Sequence, residues 1–595
     1  MVVSLFPHAE IGSAAYLFHM NEGIRALASF IYGDEKGPEV VTQLTELATR
    51  WKPFVQSFRG TRDPLPLTQR DAILITYADQ VSEPGLPPLE TLGRFAADHL
   101  SGVLSAIHLL PFYPWSSDDG FSVKDYFTIA EEYGTWESLQ PLAGRFDLMF
   151  DAVFNHLSAQ GSWFREFLAG NPERADFFVT VKGSPDLSLV VRPRALPLLT
   201  EFNAATERRQ VWTTFSADQV DLNFANPAVL LAVTEALLFY ISKGAKFIRL
   251  DAIAYLWKEI GTPCIHLPQT HAVIQLWRAL LDEVAPQAML ITETNVPHPD
   301  NISYFGDGHD EAQLVYNFAL PPLVLHTLQT GNATRLTEWA DSLELPSGAV
   351  TFFNFLASHD GIGVNPARGI LEPAEIDELV QKTKSRGGFV SMKNNADGTQ
   401  SPYELNINYF DALNPPHAHE PRQIQIARFL VAQGIMLVLR GVPGIYFHSL
   451  FGSRGDRAGA EATGIFRRIN REKLTLEAIE KELVDPGSLR AQVFRGFRRM
   501  LHLRRSEPAF SPGATQTIID AGEHCFALLR SKADSRVLCL FNVTASPRAI
   551  AMSLSGLPSG TKAVNLLQPD HEILFADGET KITLPPYGCA WLKLT

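Results

Sequence analysis

Short apolar runs alternating with helical stretches constrain this chain more tightly than any other feature. From residue 71 onward the sequence reads AILITYA, LSAIHLLPF, FDLMFDAVFN, AKFIRLDA, AMLITETN, LVYNFA, AVTFFNFLASHD and PGIYFH, with segments such as PAVLLAVTEALLFYISKG and HAVIQLWRALLDEVAP between them. Runs of that length suit strands buried on both faces, and the intervening 3.6-residue periodicity suits helices that cover them. Such alternation, repeated about eight times, predicts an α/β fold, a (β/α)8 TIM-type barrel of parallel strands. Breaks in the rhythm mark the other units. Residues 1–70 read as a helical N-terminal extension, 71–156 as the first part of the barrel and 157–222 as an inserted region. The rest of the barrel follows over 223–510, with a long active-site loop at about 363–418. From 511 to 595 the pattern alternates with period two and predicts a C-terminal β-domain.

At 595 residues the chain exceeds a single core of ordinary size, which agrees with that division. Its formal net charge of −14 offers no attraction to nucleic acid or to an anionic membrane surface, so neither is an expected partner. The 4 cysteines form no Cys-x-x-Cys pair, which argues against a zinc ribbon or a disulfide scaffold and suits a reduced, cytoplasmic location. The opening MVVSLFPHAEIGSAAYLF has no basic stretch ahead of an apolar core and does not read as a signal peptide. The most apolar run, FLVAQGIMLVL, is too short to span a bilayer and predicts a buried core element.

Polar residues stand where four of the runs end. FDLMFDAVFNH closes on Asp151, Asn155 and His156, and FIRLDA carries Arg249 and Asp251 two apart, hence on one strand face. LITETN places Glu293, and FLASHDG ends in His359 and Asp360. Polar side chains facing a barrel core are costly unless paired, and the C-terminal ends of barrel strands are where catalytic groups gather. The acids Asp251, Glu293 and Asp360 suit glycoside chemistry, in which one carboxylate attacks the anomeric carbon and a protonated partner serves the leaving oxygen. Arg249 is expected to keep Asp251 ionised, and Glu293, farther from that cation, to have the raised pKa. Each acid alone reads equally well as half of a structural ion pair; their order and spacing together point to a site.

The ordered segments DAVFNH, FIRLDA, ITETN and FLASHDG resemble the four signature regions of the α-amylase superfamily of glycoside hydrolases and transglycosylases. The resemblance runs from about residue 70 to the C-terminus. It implies a nucleophile at Asp251, a general acid/base at Glu293 and a transition-state stabiliser at Asp360. His156, Arg249 and His359 match the residues that contact the sugar and support the nucleophile. HLLPFYPWSSDDGFSVKDY, YNFALPPLVLHTLQTG, SHDGIGV and FRRINREKL are similar to the sucrose phosphorylase subfamily. That similarity implies that Asp118 and Arg471 clamp the far end of one glucosyl ring; SSDDG is also good turn chemistry, so a turn role for Asp118 stands beside it.

Two loops depart from the sucrose phosphorylase pattern of Tyr-Arg-Pro-Arg-Pro and Tyr-Gln. Here the first reads Val191-Arg192-Pro193-Arg194-Ala195 and the second Tyr403-Glu404. Together with SSDDGF, PYELN and the helical extension, they resemble glucosylglycerate phosphorylases, with glucosylglycerol phosphorylases as near neighbours. Arg194 matches the phosphate-binding arginine of that family, and Arg192 is either a second contact or a strut. Tyr403 and Glu404 belong to the acceptor side, where Glu404 either meets the acceptor or pairs with an arginine across the mouth. The implied activity is retaining phosphorolysis of a small α-glucoside, 2-O-α-glucosylglycerate, to α-glucose 1-phosphate and glycerate. Sucrose, glucosylglycerol and sucrose 6′-phosphate are alternative donors, and α-glucosidase or transglucosylase action is a more distant alternative. No cofactor or metal is implied, because the acid, amide and imidazole of DAVFNH have sugar-binding and packing roles in the family. The partners are then a sugar glycoside and inorganic phosphate, with a homodimer left open.

Overall fold

The computed structural model describes residues 22–55, 67–205, 207–395, 397–553, 560–569, 572–575 and 579–595; the opening stretch read above against a signal peptide lies outside them. Each of the eight apolar runs contains one strand. These are β1 (Ile73–Thr76), β2 (Ala106–Leu109), β3 (Asp147–Ala152), β4 (Ala245–Leu250), β5 (Met289–Thr292), β6 (Leu314–Tyr316), β7 (Thr351–Asn354) and β8 (Val442–Tyr446). Every strand pairs in parallel with its sequence neighbours, and β8 returns to β1 with Ile73 opposite Gly444, so the sheet is a closed barrel. The barrel centre is filled by side chains. A Cβ at Gly444 would lie 2.3 Å from the Phe353 ring, so only glycine admits that ring.

Three further features bear on the site. Helix α1 (Glu22–Val55) buries Leu44, Leu47, Ala48, Trp51 and Val55 at helical spacing, and it packs on α2 (Pro227–Ser242) and α3 (Pro268–Val284) of the outer ring. It is broken at Gly33, where φ is 79°, and Arg50 ties it to Glu235 of α2 at 2.7 Å. Residues 56–66, also within the stretch read as helical, lie outside the described residues. The region between β3 and β4 forms a small antiparallel sheet of Thr180–Val181, Arg208–Trp212 and Leu199–Asn203 with its own apolar cluster around Trp212. The long insertion after β7 carries structure of its own. Pro373 and a Glu372/Glu375 capping box start a helix over Pro373–Ser385, and Phe389–Asn394 pairs with Gln400–Asn406 as a hairpin.

Beyond the barrel, Thr515–Ile519, Cys525–Lys532, Ser535–Asn542, Cys589–Leu594, Lys562–Asn565 and Glu572–Leu574 form a six-stranded sheet. All but the last residue of the FLVAQGIMLVL run lies in the helix Arg422–Val438, nearly all of it buried. Among the described residues no helix is long and apolar enough to cross a membrane.

Candidate active site

Backbone register brings the acids together before side chains are considered. Arg249 on β4 sits opposite Asp151 on β3 and Ile291 on β5. Just past the strands, the Asp251 N–H donates to the Ala152 carbonyl at 3.2 Å and the Glu293 N–H to the Leu250 carbonyl at 3.1 Å. Asp251 and Glu293 therefore leave adjacent strands at one level, on the C-terminal face of the barrel. Ala252 then turns left-handed, with φ 49° and ψ 31°, and its N–H donates to Glu293 Oε2 at 3.0 Å. A non-glycine residue in that region costs roughly 1–3 kcal/mol, and here the turn aims a donor at an acid.

Arg249 is the hub of the cluster. Its Nη1 donates to Asp251 Oδ1 at 2.7 Å and also to Asp151, and its Nη2 lies 3.8 Å from Glu293 Oε2. Behind it, His108 Nε2 donates to the second oxygen of Asp151 at 2.7 Å. The guanidinium lies over the rings of Phe121 and Tyr316 at 5.7 and 5.5 Å, which favours a buried cation.

Burial pushes the Asp251 carboxyl well above the usual range; Arg249 opposes the shift, and neighbouring Glu293, Asp151 and Asp360 reinforce it. Burial raises Glu293 too, with Arg249 again opposing and Asp360 reinforcing. From the sequence Arg249 is expected to keep Asp251 ionised; in the structure burial works against it, and Asp151 shares the same guanidinium nitrogen. Both carboxyls face the same guanidinium, and their distances from it decide which one is the better place for a proton. Asp251 has the 2.7 Å charge-assisted bond, whereas Glu293 has the cation only at 3.8 Å. We therefore assign the proton to Glu293. Asp360 behaves differently. Burial would raise it, but Arg467, His359, Arg471 and Arg249 together hold it well below the usual range, so it stays a carboxylate.

The other wall is built around Asp360. Arg467 Nη1 lies 2.6 Å from its Oδ1, and Arg471 Nη2 and His359 Nε2 each lie 3.4 Å from the same oxygen. His359 is stacked on Phe121, with ring centroids 4.7 Å apart and planes 4° from parallel. Burial holds the His359 and His156 rings below their ordinary pKa, hence neutral at pH 7. Arg471 is fully buried and reaches Asp119 at 2.7 Å and Asp118 at 3.3 Å. Both aspartates are left-handed, with φ 53° at Asp118 and 47° at Asp119. This double turn points Asp119 at Arg471 and Arg468 and leaves Asp118 facing the cavity. The turn and contact roles of Asp118 are compatible.

His156 anchors the inserted region. Its Nε2 donates to the Phe121 carbonyl at 3.0 Å, and Asn155 Nδ2 lies 3.2 Å from its Nδ1. The Lys258 ammonium, 2.7 Å from both Asn155 Oδ1 and Asp221 Oδ2, joins β3 to the edge of the insert. Among the described residues no group of three or more His, Cys, Asp or Glu side chains is placed to hold a metal ion.

Eight of the residues singled out from sequence line one pocket: Asp118, His156, Arg194, Asp251, Glu293, His359, Asp360 and Tyr403. Arg249 and Arg471 stand behind its wall. Glu404 is buried below the surface, 1% exposed, with Arg467 Nη2 at 3.1 Å. Arg192 is not brought to the pocket; its guanidinium donates to the Leu196 carbonyl of its own loop. Sequence reasoning passed over Arg467, Asp119 and Phe121, although all three lie inside segments quoted above, FRRINREKL and SSDDGF. Their partners lie from 63 to 352 residues away, so no local pattern marks them.

With this geometry established, the chain can be set beside known proteins. Residues 101–360 match the alpha-amylase catalytic domain. The chain is 52% identical over 527 residues to the glucosylglycerate phosphorylase of Spirochaeta thermophila, covering 88% of this chain and 89% of that protein. To the glucosylglycerate phosphorylase of Escherichia coli it is 45% identical, covering 96% and 100%. Similarity to the sucrose phosphorylase of Agrobacterium vitis is lower, 31% identity covering 76% and 90%. Among solved structures, sucrose 6F-phosphate phosphorylase from Thermoanaerobacter thermosaccharolyticum superposes with a TM-score of 0.71 at 25% identity, over 81% of this chain and 96% of that one. The chain belongs to the α-amylase family and, within it, to the glucosylglycerate phosphorylase family.

Proposed function

We propose that this protein is a retaining phosphorylase that cleaves 2-O-α-glucosylglycerate with inorganic phosphate to give α-glucose 1-phosphate and glycerate. One observation carries the reading: Asp251 and Glu293 share the Arg249 guanidinium in a pocket that Arg194 also lines. Identity of 45% to 52% to enzymes named for this donor supports the choice of substrate.

In this mechanism Asp251, held ionised by its short bond from Arg249, attacks the anomeric carbon. The proton on Glu293 passes to the departing glycerate oxygen as the glycosidic bond breaks. The glucosyl group is then an ester of Asp251 with inverted configuration. Asp360, kept anionic by its arginines, steadies the oxocarbenium-like charge on either side of that intermediate. Asp118, His156 and His359 contact the glucosyl hydroxyls, with Arg471 fixing Asp118 from behind. Phosphate replaces glycerate, attacks the same carbon, and gives its proton to Glu293, so a second inversion restores the α configuration. Phosphate requires positioning and charge compensation more than activation, which suits the fork of Arg194. We assign Arg192 the role of strut and Tyr403 a place on the acceptor side. The proposed setting is the cytoplasm, since all four cysteines are free thiols.

The reverse reaction tests the acceptor. With α-glucose 1-phosphate supplied, phosphate release is expected to be fastest with glycerate and slower with glycerol, fructose or fructose 6-phosphate. Equal rates with fructose would remove the acceptor assignment, and release of glucose alone would indicate a hydrolase.

A further inference from the structure

Of the two roles the sequence allows Glu404, meeting the acceptor or pairing with an arginine, the structure has the second. Glu404 Oε1 accepts the Gly361 N–H at 2.5 Å, and Oε2 accepts Nε and Nη2 of Arg467 at 3.2 and 3.1 Å. A Cβ at position 361 would lie 2.7 Å from Glu404 Cγ, so glycine is what lets the carboxylate come this close. Both oxygens are engaged within the protein, and the side chain is not at the pocket surface. Arg467 is at the surface. A guanidinium has five N–H donors. Two of them face Glu404 and one faces Asp360, which leaves two without a partner in this set.

The two contacts pull in different directions. Without Glu404, a guanidinium 2.6 Å from Asp360 would gain by turning into a two-bond fork on that carboxylate. It would then bond both oxygens of Asp360, of which only Oδ1 is now engaged by cations, and turn its remaining N–H groups away from the pocket. Glu404 opposes that rotation from the hairpin. Phe466, the neighbour of Arg467, stacks on Phe389 of the same hairpin with centroids 4.7 Å apart and planes 2° from parallel, which fixes the turn as well as the side chain. The other guanidinium lining the pocket is Arg194, on the loop of the inserted region.

Resting on the function proposed above, we infer that Arg467 is the residue that binds the carboxylate of the anionic acceptor, and that Glu404 is a positioning residue that selects such acceptors by keeping Arg467 to a single contact with Asp360 instead of a two-bond fork. Arg467 is assigned to the acceptor carboxylate and Arg194 to phosphate, the two arginines that line the one pocket.

The test compares glycerate with glycerol, which has a hydroxymethyl group in place of the carboxylate. Wild type, Arg467→Gln, Arg467→Lys and Glu404→Gln are assayed with α-glucose 1-phosphate and each acceptor, and the readout is the ratio of kcat/KM for glycerate to that for glycerol. Because Arg467 also touches Asp360, all variants lose some transfer to both acceptors, and the ratio removes that common loss. Arg467→Gln is expected to lower the ratio about 10–100-fold, the effect of losing a hydrogen bond to a charged group. Arg467→Lys restores part of it, and Glu404→Gln lowers it less, through the KM for glycerate. An unchanged ratio in both Arg467→Gln and Glu404→Gln, with wild type using glycerate, overturns the inference alone. A rise in the KM for phosphate alone, when the same variants are assayed in phosphorolysis, also overturns it. Wild type that ignores glycerate overturns the proposed function, and this inference with it.

Discussion

Asp251→Asn is expected to abolish glucosyl transfer, with kcat lower by about 10⁵-fold, the scale seen when a covalent nucleophile is removed. Asparagine fits the space and its oxygen can still accept from Arg249, so the fold and the wall of the pocket are kept. What is lost is the charge that attacks C1 and the leaving ability of the ester it forms. The measurement is single-turnover quench of wild type with α-glucose 1-phosphate, followed by peptide mass analysis. Wild type gives a glucosyl adduct on the peptide that contains Asp251, and the variant gives none. A variant that retained more than about a tenth of wild-type transfer would place the nucleophile elsewhere.

Glu293→Gln tests the proton assignment. Phosphorolysis of a glycoside with an alcohol leaving group is expected to fall about 10²–10⁴-fold, the usual contribution of a general acid. A glucosyl donor that leaves as fluoride needs no proton and should retain most of its first-step rate. The sign of the pH dependence follows from burial. Because the Glu293 pKa is raised, the active protonated form is present below it, and kcat/KM falls as pH rises through it. The glutamine variant has no such alkaline limb. A variant that kept the limb would move the general acid to another residue.

The barrel was legible because its signal is local. Each of the eight apolar runs is short and bounded, and a strand buried on both faces needs little else to be recognised. The strand-end polar groups were legible for the same reason: Arg249, Asp251, Glu293 and Asp360 break apolar runs where a core should continue. Arg467 shows the limit. It sits in FRRIN, a short 3-10 helix with no local mark of burial, yet it is joined to Asp360 and to Glu404 on a hairpin 63 residues away. Asp119 is similar, since only the left-handed pair at Asp118 and Asp119 makes it the nearer partner of Arg471. The charge state of Asp251 was half legible. Arg249 was visible two residues before it, but the share of that cation taken by Asp151 depends on the pairing of β3 with β4.

On the proposed mechanism, the glucosyl-Asp251 intermediate is delivered to phosphate with the α configuration restored. The direct measurement is proton NMR of the enzyme with 2-O-α-glucosylglycerate, with and without inorganic phosphate. The expected result is α-glucose 1-phosphate formed in step with free glycerate, the rate saturating in phosphate and the β anomer absent from the first turnovers. Glucose formed at the same rate with or without phosphate, or β-glucose 1-phosphate as the first product, would contradict it.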